Sequence, residues 1–207
     1  MIRLKFCGMS SLEDVAVCAK AGADALGFIF ADGPRRLTVD EAARLTSAVP
    51  RGVVRVGVFA DQPKALVQAA LAACALDVLQ FAGGESPEFC GSFGMPTMLT
   101  ARVAAPALDI VARARATALV VDALVDGKLG GTGVRVDAAV ARRIRAGSPT
   151  WLILAGGLTP ENVGDAIRAI EPDGVDVRSG VERGGRKDPE LVSAFARAVK
   201  EAYAART

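Results

Sequence analysis

Histidine is absent from all 207 residues of the chain. That removes the imidazole on which most reactive thiols and hydroxyls depend, together with the commonest ligand of protein-bound zinc. Cys7, Cys18, Cys74 and Cys90 are too widely spaced for a CxxC metal motif, so they read as reduced thiols with no metal. No apolar run approaches the roughly 20 residues a membrane helix needs. Met1 leads almost directly into a strand-like segment carrying Arg3 and Lys5, not into a charged leader and a long apolar stretch. No membrane partner and a cytoplasmic location are therefore expected. A basic stripe is missing too: 25 Lys and Arg are interspersed with 23 Asp and Glu for a net charge of +2, and no nucleic-acid partner is expected.

What the chain does have is apolar surface to bury. Hydrophobic residues make up 51% and the mean hydropathy is +0.33, much of it alanine. This points to elements covered on several sides, and the length suits one domain spanning 1–207. Short β-rich runs recur, each followed by turn residues and an alanine-rich amphipathic segment. Strands are predicted at Ile2–Cys7, Ala25–Phe30, Val53–Phe59, Asp77–Phe81, Thr97–Thr100, Ala118–Asp122, Trp151–Ala155 and Gly174–Val177. Helices are predicted at Leu12–Ala21, Val39–Val49, Pro63–Ala73, Pro87–Phe93, Ala105–Arg115, Asp137–Ala146, Pro160–Ile170 and Pro189–Ala205. Ser11 ahead of Glu13 and Asp14, and Thr159-Pro160-Glu161, supply cap chemistry.

Strict alternation implies a parallel sheet with right-handed crossovers, either open and doubly wound or closed into a barrel. The open nucleotide-binding sheet calls for GxGxxG after the first strand, where this chain has CGMSSLED. Eight units of about 25 residues fit a minimal (β/α)8 TIM barrel, whose active sites lie at the C-terminal mouth. Alternation along the first strand places Ile2, Leu4 and Phe6 toward the helices and Arg3, Lys5 and Cys7 inward. In the last strand Asp176 points inward, which makes Lys5 and Asp176 expected partners near the mouth.

Two glycine-bearing loops, AGGLTPEN and RSGVERGGRKD, follow the seventh and eighth strands, the usual phosphate site of this fold. Asp122 closes the sixth strand on a rigid element, whereas Asp126 beside Gly127 suits a turn. Gly130–Gly133 reads as a loop able to close over a ligand. Arg35 and Arg36, after the second strand, are positioned either to hold a carboxylate or to be a solvated pair. Cys18 and Cys74 fall beside alanines in helices and suit the core; Cys90 is uninformative.

KFCGMSSLEDV, AGADALGFIF, GPRRLTVDEA, RVGVF, VVD followed by GGTG, AGGLTPENV and VDVRSGVE…GRKD, in this order, resemble phosphoribosylanthranilate isomerase over essentially the whole chain. The resemblance implies a barrel enzyme without cofactor or metal. It would convert N-(5-phosphoribosyl)anthranilate into 1-(2-carboxyphenylamino)-1-deoxyribulose 5-phosphate by an Amadori rearrangement in tryptophan biosynthesis. It also implies that Cys7 is the general base and Asp122 the general acid, that Arg35 engages the anthranilate carboxylate, and that Gly156, Gly157, Ser179 and Gly180 hold the phosphate. Inward Lys5 is expected to favour the Cys7 thiolate, and Lys5 and Asp176 join the substrate-binding set.

Three strings differ from the family's usual form. Gln80-Phe81-Ala82-Gly83 stands for QLHG, Arg178 for the first serine of VDVSSGVE, and Val136-Asp137-Ala138 for an aromatic segment. The partner implied is a phosphorylated small molecule, bound by a monomer or homodimer. Two other readings compete. A histidine-pathway isomerase would need aspartates ending its first and fifth strands, where this chain has Cys7 and TMLTA. A non-catalytic or substrate-shifted phosphosugar-binding paralogue would bind ligand without turnover.

Overall fold

The computed structural model describes residues 2–102, 116–122 and 151–206, without the side chains of Ala101, Arg102 and Asp122. Eight parallel strands close on themselves in chain order, β1 (Leu4–Cys7), β2 (Ala25–Ile29), β3 (Val54–Phe59), β4 (Val78–Phe81), β5 (Thr97–Arg102), β6 (Ala118–Asp122), β7 (Trp151–Ala155) and β8 (Gly174–Val177). The barrel shuts where β1 meets β8, with Leu4, Lys5 and Phe6 in register with Val175, Asp176 and Val177. Closure leaves no edge strand to be covered.

Outside the strands lie helices α1 (Leu12–Lys20), α2 (Val39–Ser47), α3 (Lys64–Ala73), α4 (Pro87–Gly91), α5 (Val163–Ile170) and α6 (Pro189–Ala204). The helices expected at Ala105–Arg115 and Asp137–Ala146, together with Asp126 and the Gly130–Gly133 loop, fall outside the described residues. Caps set several starts. Ser11 accepts from Asp14 N at α1, Thr38 and Glu41 form a reciprocal capping box at α2, and Asp188 caps α6 just before Pro189. No helix among the described residues is long and apolar enough to cross a membrane.

Strand alternation divides the core in two. Leu4, Phe6, Leu26, Phe28, Phe59, Leu79, Leu154 and Val175 pack outward against the helices. Cys7, Ala25, Ile29, Val56, Val58, Met98, Val120 and Ile153 fill the barrel itself. Burying a leucine or phenylalanine contributes roughly 1.5–3 kcal/mol, so the outer layer dominates stability while the smaller inner residues leave room at the mouth.

The sequence reading errs at the ends of elements. Arg3 does not point into the barrel. It precedes β1, where its N–H and that of Leu4 both donate to Asp24 Oδ2, and its guanidinium lies 5.6 Å from the Tyr203 ring on α6. That bend breaks the alternation, and Ile2 instead packs against the inner cluster. Helix α5 starts at Val163, not Pro160, because Asn162 folds the segment before it into a separate turn: its side chain donates to Gly157 O and accepts from Thr159 N. Beyond β8 the chain forms a 3-10 turn (Ser179–Val181) and a small hairpin, β9 (Glu182–Arg183) and β10 (Arg186–Lys187), which the strand pattern left as loop.

Candidate active site at the barrel mouth

The site is built from the floor up. Lys5 is fully buried, and its Nζ donates to Asp176 Oδ2 at 2.7 Å across the β1–β8 seam. Burial alone disfavours the ammonium, but Asp176 and then Cys7 outweigh it and hold the Lys5 pKa above its ordinary value. One inward step higher lies Cys7, 7% exposed. Gly27 of β2 makes the space for both: a methyl built there would stand 2.8 Å from Cys7 Sγ and 3.2 Å from Lys5 Nζ. No other residue type fits this close approach without moving the thiol or the ammonium.

Lys5 favours the Cys7 thiolate, as expected, but it does not pre-ionise the thiol. Burial is the largest influence and pushes the Cys7 pKa up; Lys5 pulls it down, Asp176 pushes it up again, and Lys187 and Arg178 pull it down, with the balance upward. The reason is geometric. The ammonium is committed to Asp176, so the thiol meets a charge pair instead of a bare cation.

Removing one member of a buried pair strands the other, which costs on the order of 3–5 kcal/mol, whereas replacing both with apolar groups is close to neutral. Lys5→Met is therefore expected to lower the unfolding free energy by about 3 kcal/mol or more. The Lys5→Met/Asp176→Leu double variant should recover most of that loss in urea titrations. Equal losses in the single and double variants would show that the pair does not act as a unit.

Asp122 ends β6, in register with Ala155 of β7 and Arg102 of β5, and two residues beyond the buried Val120 of the inner cluster. Its backbone therefore stands on the mouth rim, on the strand adjoining the β7 loop. In that loop Gly156 and Gly157 both have positive φ, +88° and +62°, and Asn162 ties the turn together. Ser179 and Gly180 follow β8. The carbonyl of Leu158 lies where a Gly180 Cβ would be, so the two loops touch only because residue 180 has no side chain.

Arg35 and Arg36 have different fates. Arg36 is half-exposed and pairs with Asp32 in its own loop, while Arg35 is drawn inward and donates through Nη2 to Glu182 Oε2 at 2.7 Å. Glu182 also accepts from Lys187 Nζ at 3.0 Å, and that ammonium donates to Arg178 O at 2.8 Å. Asp14 joins below, accepting from Lys187 N and from both the N–H and the hydroxyl of Ser10, and these bonds overcome its burial to hold its pKa below the usual range.

Sequence reasoning missed this cluster, although the signal was present. ERGGRK is a hairpin signature in which Glu182 and Lys187 fall opposite each other around two glycines of positive φ. Gln80, in the QFAG string, is also buried and donates to Thr100 Oγ1. Cys18, Cys74 and Cys90 are buried and free and belong to the outer core.

A closed eight-stranded parallel barrel with a buried thiol at the C-terminal end of β1 and glycine-bearing loops after β7 and β8 places the chain among the (β/α)8-barrel enzymes. Comparison narrows the class. Residues 4–198 match the family model described as N-(5'phosphoribosyl)anthranilate (PRA) isomerase. The N-(5'-phosphoribosyl)anthranilate isomerase of Thiobacillus denitrificans is 44% identical over 202 residues, covering 94% of this chain and 96% of that protein. The phosphoribosyl anthranilate isomerase of Thermus thermophilus superposes with a TM-score of 0.85 at 35% identity, over 97% of this chain and 99% of its own. A phosphoribosyl anthranilate isomerase solved in complex with reduced 1-(o-carboxyphenylamino)-1-deoxyribulose 5-phosphate gives a TM-score of 0.82 at 30% identity, over 97% of this chain and 100% of its own. The chain belongs to the N-(5'-phosphoribosyl)anthranilate isomerase family.

Proposed function

We propose that this mouth isomerises N-(5'-phosphoribosyl)anthranilate to 1-(2-carboxyphenylamino)-1-deoxyribulose 5-phosphate, an Amadori rearrangement in tryptophan biosynthesis. The observation that carries the reading is Cys7, placed over the Lys5–Asp176 pair by the gap at Gly27 and facing the two loops that touch at Gly180. In this reading Gly156, Gly157, Ser179 and Gly180 receive the phosphate through backbone N–H groups. Arg35, aimed by Glu182, receives the anthranilate carboxylate. The partner is a phosphorylated small molecule, and the protein works in the cytoplasm as a monomer or homodimer.

Two proton transfers, one from Asp122 and one to Cys7, carry the substrate as far as an enol-amine, and ketonisation completes the reaction. Asp122 gives its proton to the furanose ring oxygen, the C1′–O bond breaks, and the nitrogen lone pair forms a cationic imine with C1′. That cation acidifies the C2′ proton, which the Cys7 thiolate removes, and the electron pair flows back to nitrogen. The resulting enol-amine ketonises by gaining a proton at C1′ and losing the enol proton. C1′ is reduced and C2′ oxidised within one molecule, so no external oxidant or reductant enters.

The reaction needs the carboxyl group protonated and the sulfur ionised; burial raises the thiol pKa, so the thiolate is scarce at neutral pH but is a stronger base once formed. The test is the loss of substrate fluorescence when purified protein meets enzymatically generated phosphoribosylanthranilate. Turnover at a typical enzymatic rate, about 1 s⁻¹ or faster, is expected. Binding of the substrate without turnover would sink the catalytic reading in favour of a phosphosugar-binding paralogue.

A further inference from the structure

Arg178 occupies the position where the family string has serine, and its setting is specific. The β1–β8 register pairs Lys5 with Asp176 and Phe6 with Val177, so the next residues on either side of the seam are Cys7 and Arg178. Its carbonyl is held at 2.8 Å by Lys187 Nζ, whose side chain is 1% exposed, which pins the Arg178 backbone at φ −121°, ψ −84°. Its stem lies across the rim, with Cγ 3.4 Å and Cδ 3.5 Å from where a Gly8 Cβ would be.

The cations around it are already committed. Lys5 is neutralised by Asp176, and Arg35 and Lys187 share Glu182. Among the described residues Arg178 has no carboxylate partner, and its residue is exposed at the mouth. It is also one of the positive groups that act on the Cys7 thiol, so its charge lies within electrostatic reach of the site. The two residues that follow it are Ser179 and Gly180.

We propose that Arg178 is a ligand of the substrate phosphate, adding a guanidinium charge to the backbone N–H groups of the β7 and β8 loops. The inference rests on the phosphosugar reading above. A planar fork of donors suits a phosphate dianion, and an uncommitted cation beside N–H donors binds it more tightly than the donors alone.

Three variants separate charge from packing: Arg178→Ser restores the family's usual residue, Arg178→Met keeps the stem over Gly8, and Arg178→Lys keeps the charge. The dissociation constant of inorganic phosphate, measured by calorimetry, is expected to rise about tenfold in the Ser and Met variants and less than about threefold in the Lys variant. KM for phosphoribosylanthranilate should rise in parallel while kcat changes less than about threefold. Unchanged phosphate affinity in Arg178→Ser would overturn the proposal. So would weakened binding of anthranilate with phosphate binding intact, which would assign the guanidinium to the carboxylate, or a fall confined to kcat, which would assign it to the thiol. Phosphate binding is read without turnover, so a wild-type protein that bound phosphate but did not isomerise the substrate would refute the activity and leave this assignment standing.

Discussion

Replacing Cys7 with alanine is expected to lower kcat by at least about two orders of magnitude while changing the affinity for a phosphorylated product analogue less than about threefold. The substitution deletes one sulfur from a position already relieved by Gly27 and leaves the Lys5–Asp176 pair intact, so the fold should persist. Urea unfolding within about 1.5 kcal/mol of wild type would confirm that the loss is chemical. Serine is not expected to rescue it, because a hydroxyl ionises far less readily than a thiol. A Cys7→Ala protein with near wild-type kcat would remove the thiol from the mechanism.

The wild-type thiol provides the control, since burial outweighs Lys5 and keeps Cys7 neutral at pH 7. Alkylation of Cys7 by iodoacetamide, followed by mass spectrometry, should accelerate about tenfold per pH unit from pH 7 to 9 without levelling off. A plateau in alkylation near neutrality would show a preformed thiolate and refute that account.

The barrel was legible because its signals are periodic and redundant. The β6, β7 and β8 bounds coincide with the sequence reading, and the alternation that set Lys5 opposite Asp176 is the same alternation that closes the seam. Alternation failed at Ile2 and Arg3, where a carboxylate 21 residues beyond Arg3, Asp24, takes two backbone N–H groups and turns the chain. Local pattern carries no information about such a distant acceptor.

Other losses have the same origin. Thr159-Pro160-Glu161 is a sound helix start, but Asn162 bonding back to Gly157 makes a competing turn that delays α5. The commitment of Lys5 to Asp176 was foreseen, yet its effect on Cys7 depends on how deeply three groups are buried, a quantity no residue pattern contains. Glu182 escaped notice for a different reason. It joins an arginine 147 positions away to a lysine five positions away, and only the second contact is written in the local string.

Asp122→Asn should be as damaging as the loss of the thiol, at least about two orders of magnitude in kcat, because asparagine keeps the shape of the side chain but has no acid proton to give. The effect is expected without unfolding: Asp122 ends β6 after Val120 and Val121, both buried, and its backbone is held on both sides by the register with Arg102 and Ala155. Ring opening precedes deprotonation at C2′, so the two variants fail at different steps and can be told apart. In Asp122→Ala the space left by the carboxyl group can admit a small acid, and added formate or acetate should restore part of the lost rate, increasingly so at lower pH. The same acids should do nothing for Cys7→Ala, whose missing group is a base. Full activity in Asp122→Asn, or equal rescue of both variants by formate, would exclude Asp122 as the ring-opening acid.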